Sequence, residues 1–175
     1  PYCTRITEEV DIYAKLLENS SLHEAPCAPD TLNMLAQFTV LSRLKEPENS
    51  SIYSKMRIYD GENLKDTDPR AKSMQEYKDA AGVNEGMDGL STRLAFKILS
   101  KAVNFDPTEV AANPVHLMHV LGREIGQQQF PNEVQERYIG FLKEFIAPKY
   151  IEFLGKEIQT AYLESYSEYG QNIFD

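Results

Sequence analysis

The sequence has little of what marks secreted, membrane or nucleic-acid-binding proteins. Its two cysteines, Cys3 and Cys27, are too few for a disulfide framework and are interpreted as reduced thiols. No apolar run approaches the roughly 20 residues that cross a bilayer, and the N-terminus has no signal-peptide core. The net charge of -9 disfavours nucleic acid and anionic membranes. We therefore expect a cytoplasmic protein that binds neither nucleic acid nor membranes.

The sequence also lacks the motifs by which most proteins hold ATP. It has no G-x-x-x-x-G-K-[ST] loop, and none of the Gly-rich loop, V-A-I-K, H-R-D and D-F-G motifs of protein kinases. We expect this chain alone to have no catalytic residues, to hold no cofactor and to be inactive in phosphoryl transfer. The chain lacks an initial Met and ends without a polar tail, so we expect a piece of a longer protein.

What the sequence does have is helical periodicity over most of its 175 residues. No alternating strand pattern occurs, so the fold is predicted to be all-α. The predicted helices cover residues 8–18, from a loop at 25–29 to about 44, 51–59, 70–81, the run 94–102 after the cap Ser91, 114–129, 132–147 and 151–170.

Several local signals set the predicted ends of these helices. Thr7 is expected to cap the first helix, and Asn113 the helix that begins at Pro114. The segment Asp106–Glu109 is predicted to be a capping box. Pro148 is expected to kink or end the helix before it.

The stretch 86–93, GMDGLSTR, joins two glycines to the start of a predicted helix. We expect the glycines to form a loose hinge, because glycine tolerates backbone angles that other residues avoid. Ser91 can cap the helix by accepting a hydrogen bond from an early backbone N–H. Apolar residues at helical spacing predict the buried face: Leu94, Ile98, Leu99 and Ala102.

A second face of this helix is basic, with Arg93, Lys97 and Lys101 at steps of four. Arg93 lies in the first turn, where the helix dipole disfavours a cation by roughly 0.3–1 kcal/mol. Helix-start amides together with a guanidinium would suit a phosphate held by another part of the molecule. The alternative, which residue chemistry alone favours, is an exposed arginine on a solvated face.

These residues carry a resemblance to a known family. The stretch 86–93 resembles the G-M-x-G-[IL]-S-x-R segment of the bacterial PrkA family of serine protein kinases, which carry an AAA+-type ATPase module. The segments 7–13, 41–47 and 59–62 resemble further PrkA segments in the same order. The rest of the chain is similar to the start of the family's C-terminal domain.

The resemblance implies a fold, a parent activity and a site. It implies a helical AAA+-type lid subdomain over residues 1–104, followed by the start of the C-terminal PrkA domain, a bundle of longer helices, over residues 105–175. Arg93 matches the lid arginine called sensor 2, which approaches the terminal phosphates of the nucleotide. Ser91 would cap its helix, and Lys97 is a weaker phosphate-contact candidate.

The parent would be an ATP-dependent serine protein kinase or an AAA+ ATPase that uses ATP and Mg²⁺. The expected partners are an upstream ATPase core of the same chain and protein substrates, and a homo-oligomer is compatible with this family. The alternative function is a helical protein–protein interaction module without a nucleotide role.

Three further groups of residues have competing interpretations. His116 and His119 are three apart on a predicted helix, but zinc would need two more ligands, so no metal is predicted. The acids Glu8, Glu9, Asp11, Glu133 and Glu136 are interpreted as charges that complement helix dipoles. For the tyrosines we favour core packing, with a surface for a partner or for the rest of the protein as the alternative: Tyr150, Tyr162, Tyr166 and Tyr169.

Overall fold

The computed structural model of the chain describes residues 1–106, 108 and 111–174, and it describes their side chains except at 169 and 171–174. The helices are α1 (Ile6–Glu18), α2 (Thr31–Arg43), α3 (Ile52–Tyr59), α4 (Met74–Ala81), α5 (Thr92–Val103), α6 (Pro114–Gln127), α7 (Asn132–Phe141) and α8 (Ala147–Phe174), with a π-helical turn (Leu142–Ile146) between the last two. The described residues form no strand, only one isolated bridge between Cys27 and Ala112. The all-α prediction is confirmed.

Helix α2 lies at the centre of the molecule. Its buried apolar residues point in nearly every direction around the helix: Met34, Leu35, Ala36, Phe38, Val40 and Leu41. A helix that is apolar all round must be covered on all sides. Contacts come from α1, α3, α5, α6, α7 and the π-helical turn. Each large side chain buried here stabilises the fold by about 1.5–3 kcal/mol.

An aromatic cluster joins α2 and α3 to the C-terminal helices. The ring of Phe38 meets that of Tyr138 edge-on, with centroids 5.8 Å apart. Tyr53 stacks on Phe145 at 4.6 Å, with the two rings nearly parallel. Tyr138, Phe141 and Phe145 are buried, as their spacing in the sequence predicts.

Two helix starts differ from the predictions. Thr7 does not cap α1, because the helix begins at Ile6, and the Thr7 N–H and Oγ1 both donate to Asp60 Oδ1 at 2.9 Å. The Asp60 carboxylate at the end of α3 therefore accepts hydrogen bonds from the first turn of α1.

Helix α4 begins at Met74 rather than at residue 70, because Ser73 and Glu76 form a capping box there. The predicted cap Asn113 accepts a hydrogen bond from His116 N. The predicted capping box at 106–109 includes residues outside the described part of the chain.

The helical path continues through Pro148, so this proline does not end it. The Ala147 N–H donates to Leu142 O, five residues back, in the π-helical turn directly before the proline. A wider turn at this point relieves the contact between the proline ring and the carbonyl of the preceding turn.

No described helix is both long enough and apolar enough to cross a membrane.

The last part of α8 leaves the core. Ile151 is 69% exposed, Ile158 67%, Tyr162 69% and Tyr166 67%, while Tyr150 is half-buried against the core. The favoured prediction of core packing is therefore wrong for Tyr162 and Tyr166, because nothing in the described chain reaches this part of α8. The Tyr169 side chain lies outside the described residues.

The predicted boundary between residues 104 and 105 stays a prediction. Buried residues on both of its sides, among them Ala102 of α5 and Leu117 of α6, belong to one core cluster with α2.

Candidate functional site at the start of helix α5

Ser91 begins α5 as its N-cap residue. Its backbone is extended, with φ -70° and ψ 154°, and its Oγ accepts a hydrogen bond from Leu94 N at 3.1 Å. This geometry satisfies one of the free N–H groups of the first turn. Below it, Ala95, Ile98, Leu99 and Ala102 are buried, and Leu94 is partly buried against the core.

Arg93 and Lys97 lie one turn apart on the exposed side of α5. Within the described residues neither side chain forms a hydrogen bond or an ion pair, and the first turn of α5 contains no acid. A shallow depression of about 420 Å³ lies beside them, lined by Ser91, Arg93, Leu94, Phe96 and Lys97. A cation at the positive end of the helix thus stands without a counterion from the described part of this chain.

Lys101, the third member of the basic stripe, has a different environment. Its ammonium hydrogen-bonds the buried carboxylate of Glu124 on α6. This bond lowers the pKa of Glu124, against the effect of burial, which raises it. Lys101 therefore joins α5 to α6, and only Arg93 and Lys97 remain available to a ligand.

The loop before α5 is held by Arg43 at the end of α2. Arg43 forms a bidentate pair with Glu9 of α1, at 2.8 and 3.0 Å, and both side chains are fully buried. Its Nε donates to Leu90 O at 2.8 Å, and Nη2 lies 3.4 Å from Thr92 Oγ1. Leu90 N donates in turn to Ser42 Oγ at 2.9 Å. Leu90 is thus held at both its N–H and its C=O.

The two glycines of this loop are not a loose hinge, contrary to the prediction. Gly86 has φ +79° and Gly89 has φ +96°, angles that other residues rarely adopt. A Cβ on Gly89 would lie 2.5 Å from Ser42 O, and one on Gly86 would lie 2.9 Å from Tyr2 O. The glycines therefore allow two close backbone approaches that fix the loop.

A second buried ion pair fixes the same loop from α3. Lys55 Nζ lies 2.7 Å from Glu85 Oε1 and also donates to Lys45 O at 2.9 Å. Tyr59 Oη donates to Glu85 Oε2 at 3.4 Å. Burial, and then the Glu85 charge, raise the pKa of Tyr59, so its hydroxyl stays protonated.

Sequence reasoning missed Glu9 and Arg43. Glu9 lies in the first turn of α1, as the interpretation of it as a helix-dipole charge requires, but its carboxylate is also buried in an ion pair with Arg43, which the sequence did not predict. Both residues lie within the segments that carry the PrkA resemblance, 7–13 and 41–47, which was the available signal. No spacing rule pairs residues 34 positions apart, so only the packing of α1 on α2 reveals the pair.

The histidines predicted not to bind metal pack against an aromatic ring. The centroid of the Phe105 ring lies 4.9 Å from that of His116 and 5.1 Å from that of His119. No three metal-ligating side chains gather anywhere in the described residues. Packing accounts for both histidines, and the absence of a metal stays a prediction.

Comparison with known proteins places the chain in a family. The PrkA serine protein kinase C-terminal domain model matches residues 53–175, and the PrkA AAA domain model matches residues 1–51. The serine/threonine kinase YeaG of Escherichia coli strain K12 is 71% identical over 175 residues, which is all of this chain and 27% of that protein.

The ATP-dependent protease PrkA of Bacillus subtilis strain 168 is 32% identical over 183 aligned positions, again all of this chain and 27% of that protein. The chain thus spans about a quarter of the length of these curated relatives. No solved structure matches it. Because one model covers well over half of the residues, the chain belongs to the PrkA family.

Proposed function

We propose that this chain is the helical lid and C-terminal-domain portion of a PrkA-type ATP-dependent serine protein kinase or AAA+ ATPase. In this proposal Arg93 approaches the terminal phosphates of ATP, and the remaining nucleotide contacts come from an ATPase core upstream in the full-length protein. Both domain descriptions and the name of the Escherichia coli relative support a kinase parent with an AAA module. The name of the Bacillus subtilis relative supports ATP dependence with a different reaction.

The observation that carries this proposal is the contrast between Arg93 and its surroundings. The loop before Arg93 is fixed by buried hydrogen bonds, while the guanidinium itself is exposed and has no partner in the described chain. The helix dipole disfavours a cation at this position, so the charge of Arg93 does not stabilise the described fold. An anionic group brought to the depression would be attracted by the guanidinium and by the helix-start amides.

The residues present fit part of a nucleotide site. Arg93 and Lys97 supply positive charge for phosphate oxygens, and Phe96 supplies an apolar wall. The depression has no carboxylate, and Ser91 Oγ is engaged by the helix cap, so these residues would not hold Mg²⁺. ATP and Mg²⁺ would therefore be bound mainly by the upstream core, and Arg93 would stabilise negative charge on the terminal phosphate.

The deciding experiment measures ATP hydrolysis and melting temperature for Arg93→Ala in the full-length protein. Loss of a charge-assisted hydrogen bond in the transition state costs roughly 1.5–3 kcal/mol, which is a ten- to hundredfold loss of turnover. The melting temperature should stay constant or rise slightly, because a cation leaves the positive end of a helix. Lys97→Ala, one turn further from the helix start, is the matched control and should matter less. Normal hydrolysis by Arg93→Ala would reject the proposal.

A second candidate function is supported by a different region. The exposed apolar side chains of α8 favour a helical protein–protein interaction module, in which this face meets the rest of the full-length protein, a protein substrate or a second copy. This alternative predicts that substitutions at Ile158 and Tyr162 weaken association and leave ATP turnover unchanged. Under the first proposal, Arg93→Ala lowers ATP turnover and leaves association unchanged.

A further inference from the structure

We propose that the Glu9–Arg43 pair is the positioning element of the candidate site. Arg43, held by Glu9, fixes the backbone of residues 90–92 and thereby sets the direction in which the Arg93 side chain leaves α5. This inference rests on the proposed role of Arg93 and assigns a function to two residues that never touch the nucleotide.

The first argument is that every N–H of the Arg43 guanidinium has an acceptor. Nε donates to Leu90 O at 2.8 Å, Nη1 to Cys3 O and to Glu9 Oε2 at 2.8 Å each, and Nη2 to Glu9 Oε1 at 3.0 Å and to Thr92 Oγ1 at 3.4 Å. A guanidinium has five donors in one rigid plane. Its bidentate pairing with Glu9 therefore determines where the other donors point.

The second argument is where those donors go. Leu90 and Thr92 flank the N-cap Ser91 and lie three residues and one residue before Arg93. The C=O of Leu90 is bound by Arg43 and its N–H by Ser42, so consecutive side chains of α2 hold both polar groups of one residue. Gly89 packs against the Ser42 carbonyl next to them.

The third argument is that lysine cannot replace arginine in this arrangement. An ammonium is a single point of charge with three donors, so it can meet Glu9 but cannot also span Leu90 O and Thr92 Oγ1. Arg43→Lys therefore keeps the charge of the pair and removes the hold on the loop. Arg43→Lys therefore tests the positioning of the loop without changing the charge at residue 43.

The test compares kcat and KM for ATP hydrolysis in the full-length protein, well below each variant's melting temperature. Arg43→Lys should lower kcat by about ten- to hundredfold, the loss that a displacement of about 1 Å in a catalytic group causes. Ser42→Ala is a smaller change that releases Leu90 N and also removes the hydrogen bond from Ser42 Oγ to Thr39 O, and it should lower kcat in the same direction by less. Glu124→Gln is the control, because it breaks the partly exposed ion pair with Lys101 at the far end of α5 and should lower the melting temperature with kcat unchanged.

A double variant separates action through Arg93 from any other route. If Arg43 acts through Arg93, then Arg43→Lys combined with Arg93→Ala should have the kcat of Arg93→Ala alone. Additive losses would overturn the inference. Normal kcat in Arg43→Lys and Ser42→Ala, with turnover lost in Arg93→Ala, would overturn this inference and leave the proposed function standing. Normal turnover in Arg93→Ala would overturn both. Should Arg43→Lys fail to fold, Ser42→Ala decides.

Discussion

The loop before α5 and the last part of α8 use burial in opposite ways. At the loop, charged side chains are buried, and each is paired with an opposite charge from a distant part of the chain. On α8, large apolar side chains are exposed, and no described residue covers them. The first region pairs its buried charges within the chain, and this is why its geometry is fixed. The second region exposes an apolar surface, which is typical of an interaction site.

The difference also separates two kinds of evidence for function. At the loop, the informative feature is a fixed backbone that presents Arg93, a cation with no partner among the described residues. On α8, it is an apolar face presented to solvent, with Ile158 and Tyr162 near its middle. Substitutions in the two regions should therefore affect different measurements, stability and turnover at the loop and association at α8.

The largest effect is expected from breaking the Glu9–Arg43 pair. Arg43→Met leaves the Glu9 carboxylate buried without a partner and should lower the free energy of unfolding by about 3–5 kcal/mol. Urea unfolding of the chain measures this loss. The control is Arg57→Met, which breaks the exposed pair with Glu62 and should cost about 0–1 kcal/mol. Equal losses in the two variants would mean that the buried pair has no special role.

A smaller loss is expected at Gly89. Gly89→Ala places a side chain at φ +96° and brings its Cβ to 2.5 Å from Ser42 O, so the strain should cost about 1–3 kcal/mol. Gly82→Ala is the matched control, because Gly82 has φ +70° with no atom within 4 Å of the added Cβ. The urea midpoint of Gly82→Ala measures the cost of backbone strain alone, and the further loss in Gly89→Ala measures the cost of the close contact with Ser42 O. A Gly89→Ala loss no larger than that of Gly82→Ala would contradict the fixed loop.

The Lys101–Glu124 pair should make stability depend on pH. The folded state lowers the pKa of Glu124, so its stabilisation is fully present above the unfolded value near 4.5 and is lost as the pH falls through the folded pKa. At pH 7 we expect Glu124→Gln to cost about 1 kcal/mol, since Lys101 is partly exposed.

Urea unfolding of wild type and Glu124→Gln at pH 7 and near pH 3 measures this dependence. The gap between the two proteins should narrow at the lower pH, where the wild-type carboxyl takes up a proton. A gap that stayed constant would mean that the ion pair does not contribute.

The smallest effect on stability is expected on α8. Ile158→Ser removes an apolar side chain that is 67% exposed, so the free energy of unfolding should change by about 0.5 kcal/mol or less. Phe145→Ala is the contrasting variant. It removes a buried ring stacked on Tyr53 and should cost about 3–5 kcal/mol. A loss above about 2 kcal/mol in Ile158→Ser would show that this face is covered in solution.

The sequence predicted those features that depend on neighbours along the chain. Helical periodicity located the helices, and Ser91 and Asn113 are caps because a side-chain oxygen there reaches an N–H three residues ahead. The prediction for α4 began four residues early, because few apolar residues mark the start of that helix.

Features that depend on distant residues required the tertiary structure. Glu9 and Arg43 are 34 positions apart, and only the packing of α1 on α2 brings their charges together in a buried place. Gly86 and Gly89, which the sequence predicts to form a loose hinge, instead lie in close backbone contact with Tyr2 and Ser42. Tyr162 and Tyr166 have the helical spacing of core residues, but they are exposed because no other described helix packs against them. Local hydrogen bonds follow from the order of residues, whereas burial depends on what the rest of the chain places nearby.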